Sequence, residues 1–80
     1  MKAVLQGIVT ETEFKERKKD GAKIPIAYMS SGKETVRVEM LSPERMRTIP
    51  VLEPTEIPVD ISLRSFEGRS YLVVSERMSD

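Results

Sequence analysis

The sequence predicts an all-β domain in which five strands and one short helix form a small barrel. Apolar and polar residues alternate in short segments, which is the period of half-buried strands. Turn-forming residues separate these segments, and only one segment begins with the residues that start a helix. With 80 residues, 39% of them hydrophobic, the chain can build one domain, placed over residues 1–80, and is too short for two.

The first strand is predicted over residues 3–14, where apolar side chains fall on both faces. Val4 lies at an even position, whereas Leu5 and Val9 lie at odd ones. A strand with this pattern changes the face that it buries, and a glycine inside a strand commonly marks a bulge or bend. We therefore expect the first strand to bend near Gly7 and to curl around two sides of the core.

A charged hairpin turn joins the first two strands. The dipeptide Asp20-Gly21 is typical of such a turn, and the second strand follows over residues 23–29. Pro25 has no N–H to donate to a sheet, so we expect an edge or a bulge there. After the turn at residues 30–32, a third strand over residues 34–40 alternates regularly between apolar and polar side chains.

A helix and a second hairpin complete the chain. Ser42 is a good N-cap and Pro43 suits the first helical position, so a short helix is expected over residues 43–48. The last two strands flank a turn at Glu67-Gly68. The residues expected inside the barrel are Val36, Val38, Ile57, Val59, Ile61 and Val74.

The element order is that of the OB-fold, a five-stranded Greek-key barrel with a short helix between strands 3 and 4. The alternative is an SH3-like barrel, which also has five short strands but lacks this helix. The capped segment Ser42-Pro43-Glu44 favours the OB-fold. In its length and in the segment VDISLRSFEGRSYL, residues 59–72, the chain resembles the small OB-fold single-stranded-DNA-binding proteins of phages and plasmids. That segment looks like their final hairpin.

This resemblance implies a nucleic-acid site on one face of the barrel. In OB-folds the face of strands 2 and 3, with the loops joining strands 1 to 2 and 4 to 5, holds the oligonucleotide. Here those loops are residues 15–21 and 65–69. A single strand needs cations along its backbone and aromatic faces for its bases. The candidate nucleic-acid-binding residues are Lys15, Arg17, Lys18, Lys19, Tyr28, Arg37, Arg64, Phe66 and Arg69.

Two functions remain open from the sequence. The first is sequence-tolerant binding of single-stranded DNA, or RNA, in replication, plasmid transfer or phage growth. The second is a protein-interaction or structural β-barrel without nucleic-acid binding, in which Phe66, Met29 and Met46 contact a partner chain. Thirteen basic residues balance thirteen acidic ones, which favours the second function, whereas the element order and the net charge of plus two in residues 15–21 favour the first.

The composition argues against an enzyme. The chain has no Cys or His, which removes thiolate and imidazole nucleophiles and metal ligands. It also has no glycine-rich phosphate loop and no carboxylate set with the spacing of metal ligands. We therefore expect no catalytic residue, no metal, no cofactor and no small-molecule substrate. No apolar run is long enough for a membrane span, so we expect a cytoplasmic protein without a membrane partner.

Self-association is expected because the domain is small. A chain of this size buries only about 60% of the surface that it exposes when unfolded, and a partner often supplies the missing stability. Met29 and Ile49 are expected to be exposed and to form part of the contact. The sequence therefore predicts a homo-oligomer, a dimer or larger.

Overall fold

The protein is a closed barrel of five strands with one helix, described here for residues 1–78 from a computed structural model. The elements are β1 (Lys2–Glu16), β2 (Lys23–Ser31), β3 (Glu34–Glu39), α1 (Pro43–Thr48), β4 (Pro54–Phe66) and β5 (Arg69–Glu76). The strands close in the order β1-β2-β3-β5-β4, with β3 and β5 parallel and the other neighbours antiparallel. This confirms the predicted OB-like Greek-key barrel with its helix between strands 3 and 4.

β1 curls around the barrel because its two halves pair with different strands. The N-terminal half pairs with β4 and the C-terminal half with β2. β1 passes from β4 to β2 at Ile8, directly beside Gly7, where the bend is predicted. The bulge lies three residues beyond Gly7 at Thr10, where the register to β2 shifts between Val9 and Glu11. Gly7 is required for another reason: a Cβ there would overlap the carbonyl oxygen of Ser30, so a larger residue would force β1 and β2 apart.

The helix begins and ends where the sequence predicts. The Ser42 hydroxyl accepts a hydrogen bond from the Arg45 backbone N–H at 3.2 Å, and Pro43 occupies the first turn. Met46 and Ile49 are buried in the core cluster, so the helix packs against the barrel. No helix within residues 1–78 is long and apolar enough to cross a membrane.

A buried carboxylate fixes the helix to the end of β5. The Arg45 Nε donates to Glu76 Oε2 at 2.8 Å, and the Leu41 backbone N–H donates to Glu76 Oε1 at 3.1 Å. The hydrogen bond to Glu76 raises the pKa of the Arg45 guanidinium above its ordinary value. Helix, preceding loop and β5 are thereby held together by one side chain.

The core confirms the predicted inward faces and corrects three other residues. Val38, Ile57 and Val59 are fully buried, while Val36, Ile61 and Val74 pack against them partly buried. Met29 and Ile49, predicted to be exposed, are buried, and so is Met46, predicted to contact a partner. Met29 was misplaced because β2 buries side chains on both of its faces, so alternation does not show which face is outward. Met29 and Ile49 therefore do not form the exposed surface that the sequence analysis expected for self-association.

Candidate nucleic-acid interface

One outer face of the barrel carries many of the aromatic and basic side chains selected from the sequence. In the ladder between β2 and β3, Tyr28 lies opposite Arg37. In the ladder between β4 and β5, Arg64 lies opposite Tyr71. The last ladder pair before the turn is Phe66 and Arg69. This set is named the aromatic-basic face, and its members are Tyr28, Arg37, Arg64, Phe66, Arg69 and Tyr71.

These residues share a face because the register is continuous across the parallel pair of strands. Val38 of β3 and Val74 of β5 are ladder partners, and both pack in or against the core. Side chains that alternate with them point outward, which places Arg37 and Tyr71 on the same side of the sheet. The same alternation holds on β4, where Ile61 packs against the core.

The arginines of the aromatic-basic face are available to a ligand. Arg37, Arg64 and Arg69 are exposed, and within residues 1–78 none of them forms an ion pair. Phe66 is 65% exposed and Tyr71 is 48% exposed. Exposed rings next to free guanidinium groups can stack on bases and contact phosphates at the same time.

The turn between β4 and β5 lies at Glu67-Gly68, as the sequence predicts, but it is tighter than the loop predicted over residues 65–69. Only Glu67 and Gly68 connect the strands, and both have positive φ, 50° and 75°. This is the backbone of a two-residue type I′ hairpin turn, which needs glycine or another residue tolerant of the left-handed region. The turn holds Phe66 and Arg69 as ladder partners at the tip of the hairpin.

The other basic residues lie on the hairpin between β1 and β2. This basic hairpin, residues 15–21, carries Lys15 at the end of β1 and Lys18 and Lys19 in the turn, all exposed. Arg17 differs from the lysines because its guanidinium lies 3.5 Å from the Asp20 carboxylate. Part of the local positive charge is therefore neutralised within the hairpin itself.

The two hairpins project in opposite directions. β1 and β4 are antiparallel neighbours, and each runs on past their shared ladder into its own hairpin. The C-terminal ends of the two strands therefore point away from each other. The nine candidate residues do not form one continuous cluster, and sequence reasoning missed this separation.

A row of carboxylates also lies between the basic hairpin and the aromatic-basic face. Glu13, Ile26, Glu39, Ser75 and Asp60 are successive ladder partners across the five strands. Ile26 is fully buried, Glu13, Glu39 and Ser75 are half-buried, and Asp60 is exposed. The three carboxylates of this acidic row are Glu13, Glu39 and Asp60. The N-terminal ammonium of Met1 donates a hydrogen bond to Asp60 at 3.0 Å and lowers the pKa of that carboxyl group.

The acidic row and the ring of Tyr71 are features that sequence reasoning missed. Glu13 and Glu39 flank the same buried residue, Ile26, although they belong to different strands. No pattern within either strand indicates that both carboxylates lie beside Ile26. Tyr71 is not among the candidate residues selected from the sequence, yet it lies on the outer surface opposite Arg64.

No protein-family model, curated protein or solved structure matches this chain. The function is therefore inferred from the geometry of the barrel surface.

Proposed function

We propose that the protein binds single-stranded nucleic acid, DNA in the first instance, through the aromatic-basic face. The observation that carries this proposal is the sheet register, which brings three unpaired arginines and three aromatic residues to one outer surface. An OB-like barrel supports it, because such barrels hold oligonucleotides against the face of strands 2 and 3. The protein would act in the cytoplasm where single strands are exposed, in replication, plasmid transfer or phage growth.

The bases would stack on the rings of the β4–β5 hairpin. Phe66 and Tyr71 present exposed rings on the same face of the hairpin, and each stacked base contributes about 1–3 kcal/mol of binding free energy. Every base has a π-face, so stacking alone does not select a sequence. Tyr28 is half-buried in β2, so its ring offers less surface for stacking than the exposed rings of Phe66 and Tyr71 do.

The phosphates would contact the arginines. Arg64 and Arg69 each lie opposite an aromatic residue in the ladder, so a phosphate can meet a guanidinium while its base meets a ring. Arg37 extends this surface onto β3, beside Tyr28. The face is small, and a short segment of the strand would fill it.

The basic hairpin would have a lesser part in binding. Its lysines attract a polyanion over about 8–10 Å at physiological salt, but the acidic row lies between them and the aromatic-basic face. A strand that contacted both surfaces would have to pass over these carboxylates. Lys15, Lys18 and Lys19 would therefore assist the approach of the strand more than its final contacts.

Fluorescence anisotropy with a labelled oligothymidine, repeated over a series of salt concentrations, tests this function. Each phosphate contact on a single strand lowers the slope of log K against log salt by about 0.7, so three arginine contacts predict a slope of about −2. A matched duplex should bind less tightly, because its bases are not free to stack. If the oligothymidine does not bind even at low salt, the protein-interaction barrel replaces this proposal.

A further inference from the structure

An open groove crosses the outer side of the ladder between β1 and β4, away from both hairpins. It has a volume of about 410 Å³ and is lined by residues 6–8 and 54–56. Three successive outward ladder pairs form this surface, which is named the β1–β4 groove: Val4 with Pro58, Gln6 with Glu56, and Ile8 with Pro54. The middle pair is polar, and the pair on each side of it is apolar.

The apolar residues of the groove lie in solvent, although the same strands build the core. Val4 is 51% exposed and Ile8 is 38% exposed, whereas Leu5, which alternates with them on β1, packs against the core. Leu52 continues this apolar surface past the end of the ladder: its backbone N–H donates to the Val9 carbonyl at 2.8 Å, and the residue is 71% exposed. A contiguous exposed apolar surface is typical of an interaction site.

The conformation of Leu52 is a second sign that this surface has a partner. Its φ of 64° lies in the left-handed region, where glycine is less strained than a residue with a bulky side chain. Because the side chain is also exposed, neither the backbone nor the core requires a leucine at this position. Contact with a partner would give this side chain a role.

The polar pair places one carboxylate at the centre of the groove. Glu56 Oε1 accepts a hydrogen bond from Gln6 Nε2 at 3.1 Å, and Glu56 is exposed. Within residues 1–78 this carboxylate forms no ion pair. A cation can therefore reach it from solvent.

The segments that build this side of the barrel are acidic. Residues 3–14 and 48–63 contain no lysine or arginine and five carboxylates: Glu11, Glu13, Glu53, Glu56 and Asp60. Lys2 lies opposite Asp60 at the end of the ladder. Arg64, the next cation along β4, is separated from Glu56 by about 26 Å of extended strand, and exposed charges more than about 8–10 Å apart are largely screened at physiological salt. The groove therefore has a negative local charge in a chain with no net charge.

We propose that the β1–β4 groove binds an extended segment of another protein in which a lysine or arginine lies two positions from an apolar residue on each side. Alternate residues of an extended chain face the same way and are about 6.6 Å apart, which is also the spacing of the three outward pairs along β1. The cation would contact Glu56, and the two apolar side chains would contact the apolar pairs. The groove thus favours the pattern apolar-x-basic-x-apolar.

The charge of the groove distinguishes this partner from two others. A second copy of the chain in a two-fold contact would bring Glu56 close to its own copy, and like charges repel. A nucleic acid would meet carboxylates and no cation in the segments that form the groove. A basic, apolar peptide satisfies both features of the surface, because its cation pairs with the carboxylate and its apolar residues cover the exposed ones.

This contact is separate from the proposed nucleic-acid binding, because the groove shares no residue with the aromatic-basic face. The groove is short and holds one carboxylate, so the contact with an isolated peptide should be weak and reversible. Nuclear magnetic resonance detects such contacts and locates them on the chain.

A titration of the ¹⁵N-labelled protein with a soluble peptide that has Leu-Ser-Lys-Ser-Leu at its centre tests the proposal. Backbone amide shifts should change most at residues 4–8 and 55–57. A matched peptide with Leu-Ser-Glu-Ser-Leu should bind about tenfold more weakly, because the attraction to Glu56 becomes a repulsion. A matched peptide with Ala-Ser-Lys-Ser-Ala should also bind more weakly, because it buries less apolar surface.

A charge exchange makes the test specific. Glu56→Lys should reverse the preference, so that this variant binds the glutamate peptide better than the lysine peptide. Glu16→Lys makes the same charge change at an exposed residue near the other end of β1 and should leave the preference unchanged. Both residues are exposed, so circular dichroism should show that both variants fold.

Several outcomes would overturn the proposal. These are no shift changes with the lysine peptide, changes confined to other residues, equal binding of the lysine and glutamate peptides, or a preference that Glu56→Lys does not reverse. Shifts at residues 4–8 and 55–57 that change with protein concentration alone would assign the groove to a second copy instead. Equal changes at these residues with oligothymidine would assign it to nucleic acid.

Discussion

The two hairpins that project from the barrel both carry basic residues, but these residues have different neighbours. In the basic hairpin, Arg17 is paired with Asp20, and the acidic row lies beside the base of the hairpin. In the β4–β5 hairpin, Arg64 and Arg69 have no ion pair within residues 1–78, and each lies opposite an aromatic residue. The surroundings of a cation therefore indicate its role better than the local count of charges does.

Electrostatic energies explain why these neighbours matter. Two unit charges 4 Å apart interact by about 1 kcal/mol in water and by about 4 kcal/mol near a protein surface with an effective dielectric constant of 20. A carboxylate beside a lysine can thus offset much of the attraction that the lysine offers to a phosphate. An aromatic ring beside an arginine can stack on a base, and because it carries no negative charge it does not repel a phosphate.

Removing two positive charges from either hairpin should have unequal effects, and this is the largest difference that we expect. Arg64→Ala with Arg69→Ala should flatten the salt slope of oligothymidine binding by about 1.4, because two phosphate contacts are lost. Lys18→Ala with Lys19→Ala removes the same charge and should change the slope far less. Anisotropy titrations at matched salt concentrations measure both. An equal or larger change in the lysine variant would reverse the assignment of the two hairpins.

The two exposed phenylalanines provide a second comparison. Phe66→Ala should weaken binding by about 1–3 kcal/mol, because a ring that stacks on a base is lost. The salt slope should remain nearly unchanged, because the substitution removes no charge. Phe14 is also exposed, at 46%, but it lies opposite buried Pro25 and off the aromatic-basic face. Phe14→Ala should therefore leave affinity unchanged in the same titration. If both variants bind as the unchanged protein does, the rings do not act as platforms.

Neutralising the acidic row should have the smallest effect and the opposite sign. Glu13→Gln with Glu39→Gln removes the two carboxylates beside Ile26 and should raise affinity by roughly threefold, since each removes a weak repulsion of the phosphates. Glu44→Gln with Glu53→Gln is the matched control, because it removes the same charge at exposed positions away from this row. A similar rise in the control would show that only the net charge of the protein matters.

Local signals in the sequence were sufficient for the helix and for the pattern of strands. Ser42 and Pro43 define the start of α1, and regular alternation defines β3. The exposure of Phe66 also follows from its place beside a glycine turn. These features depend on residues that are close together in the chain.

Features that depend on register could not be read from the sequence. The bulge at Thr10 decides which side chains of β1 point outward after it, and no glycine or proline marks its position. The acidic row forms only when Glu13, Glu39 and Asp60 are aligned across different strands. The residue types in the sequence are therefore sufficient to identify candidate binding residues. The pairing of strands that are distant in the chain determines which of these residues lie on the same surface.

Nuclear magnetic resonance can compare the two hairpins in one titration. Backbone amide shifts of the ¹⁵N-labelled protein are recorded while oligothymidine is added at low salt. The largest changes should occur around Tyr28, Arg37 and residues 64–71, with small changes at residues 17–22. The largest changes at residues 17–22, with the β4–β5 hairpin unaffected, would contradict the assignment of the nucleic-acid site to the aromatic-basic face.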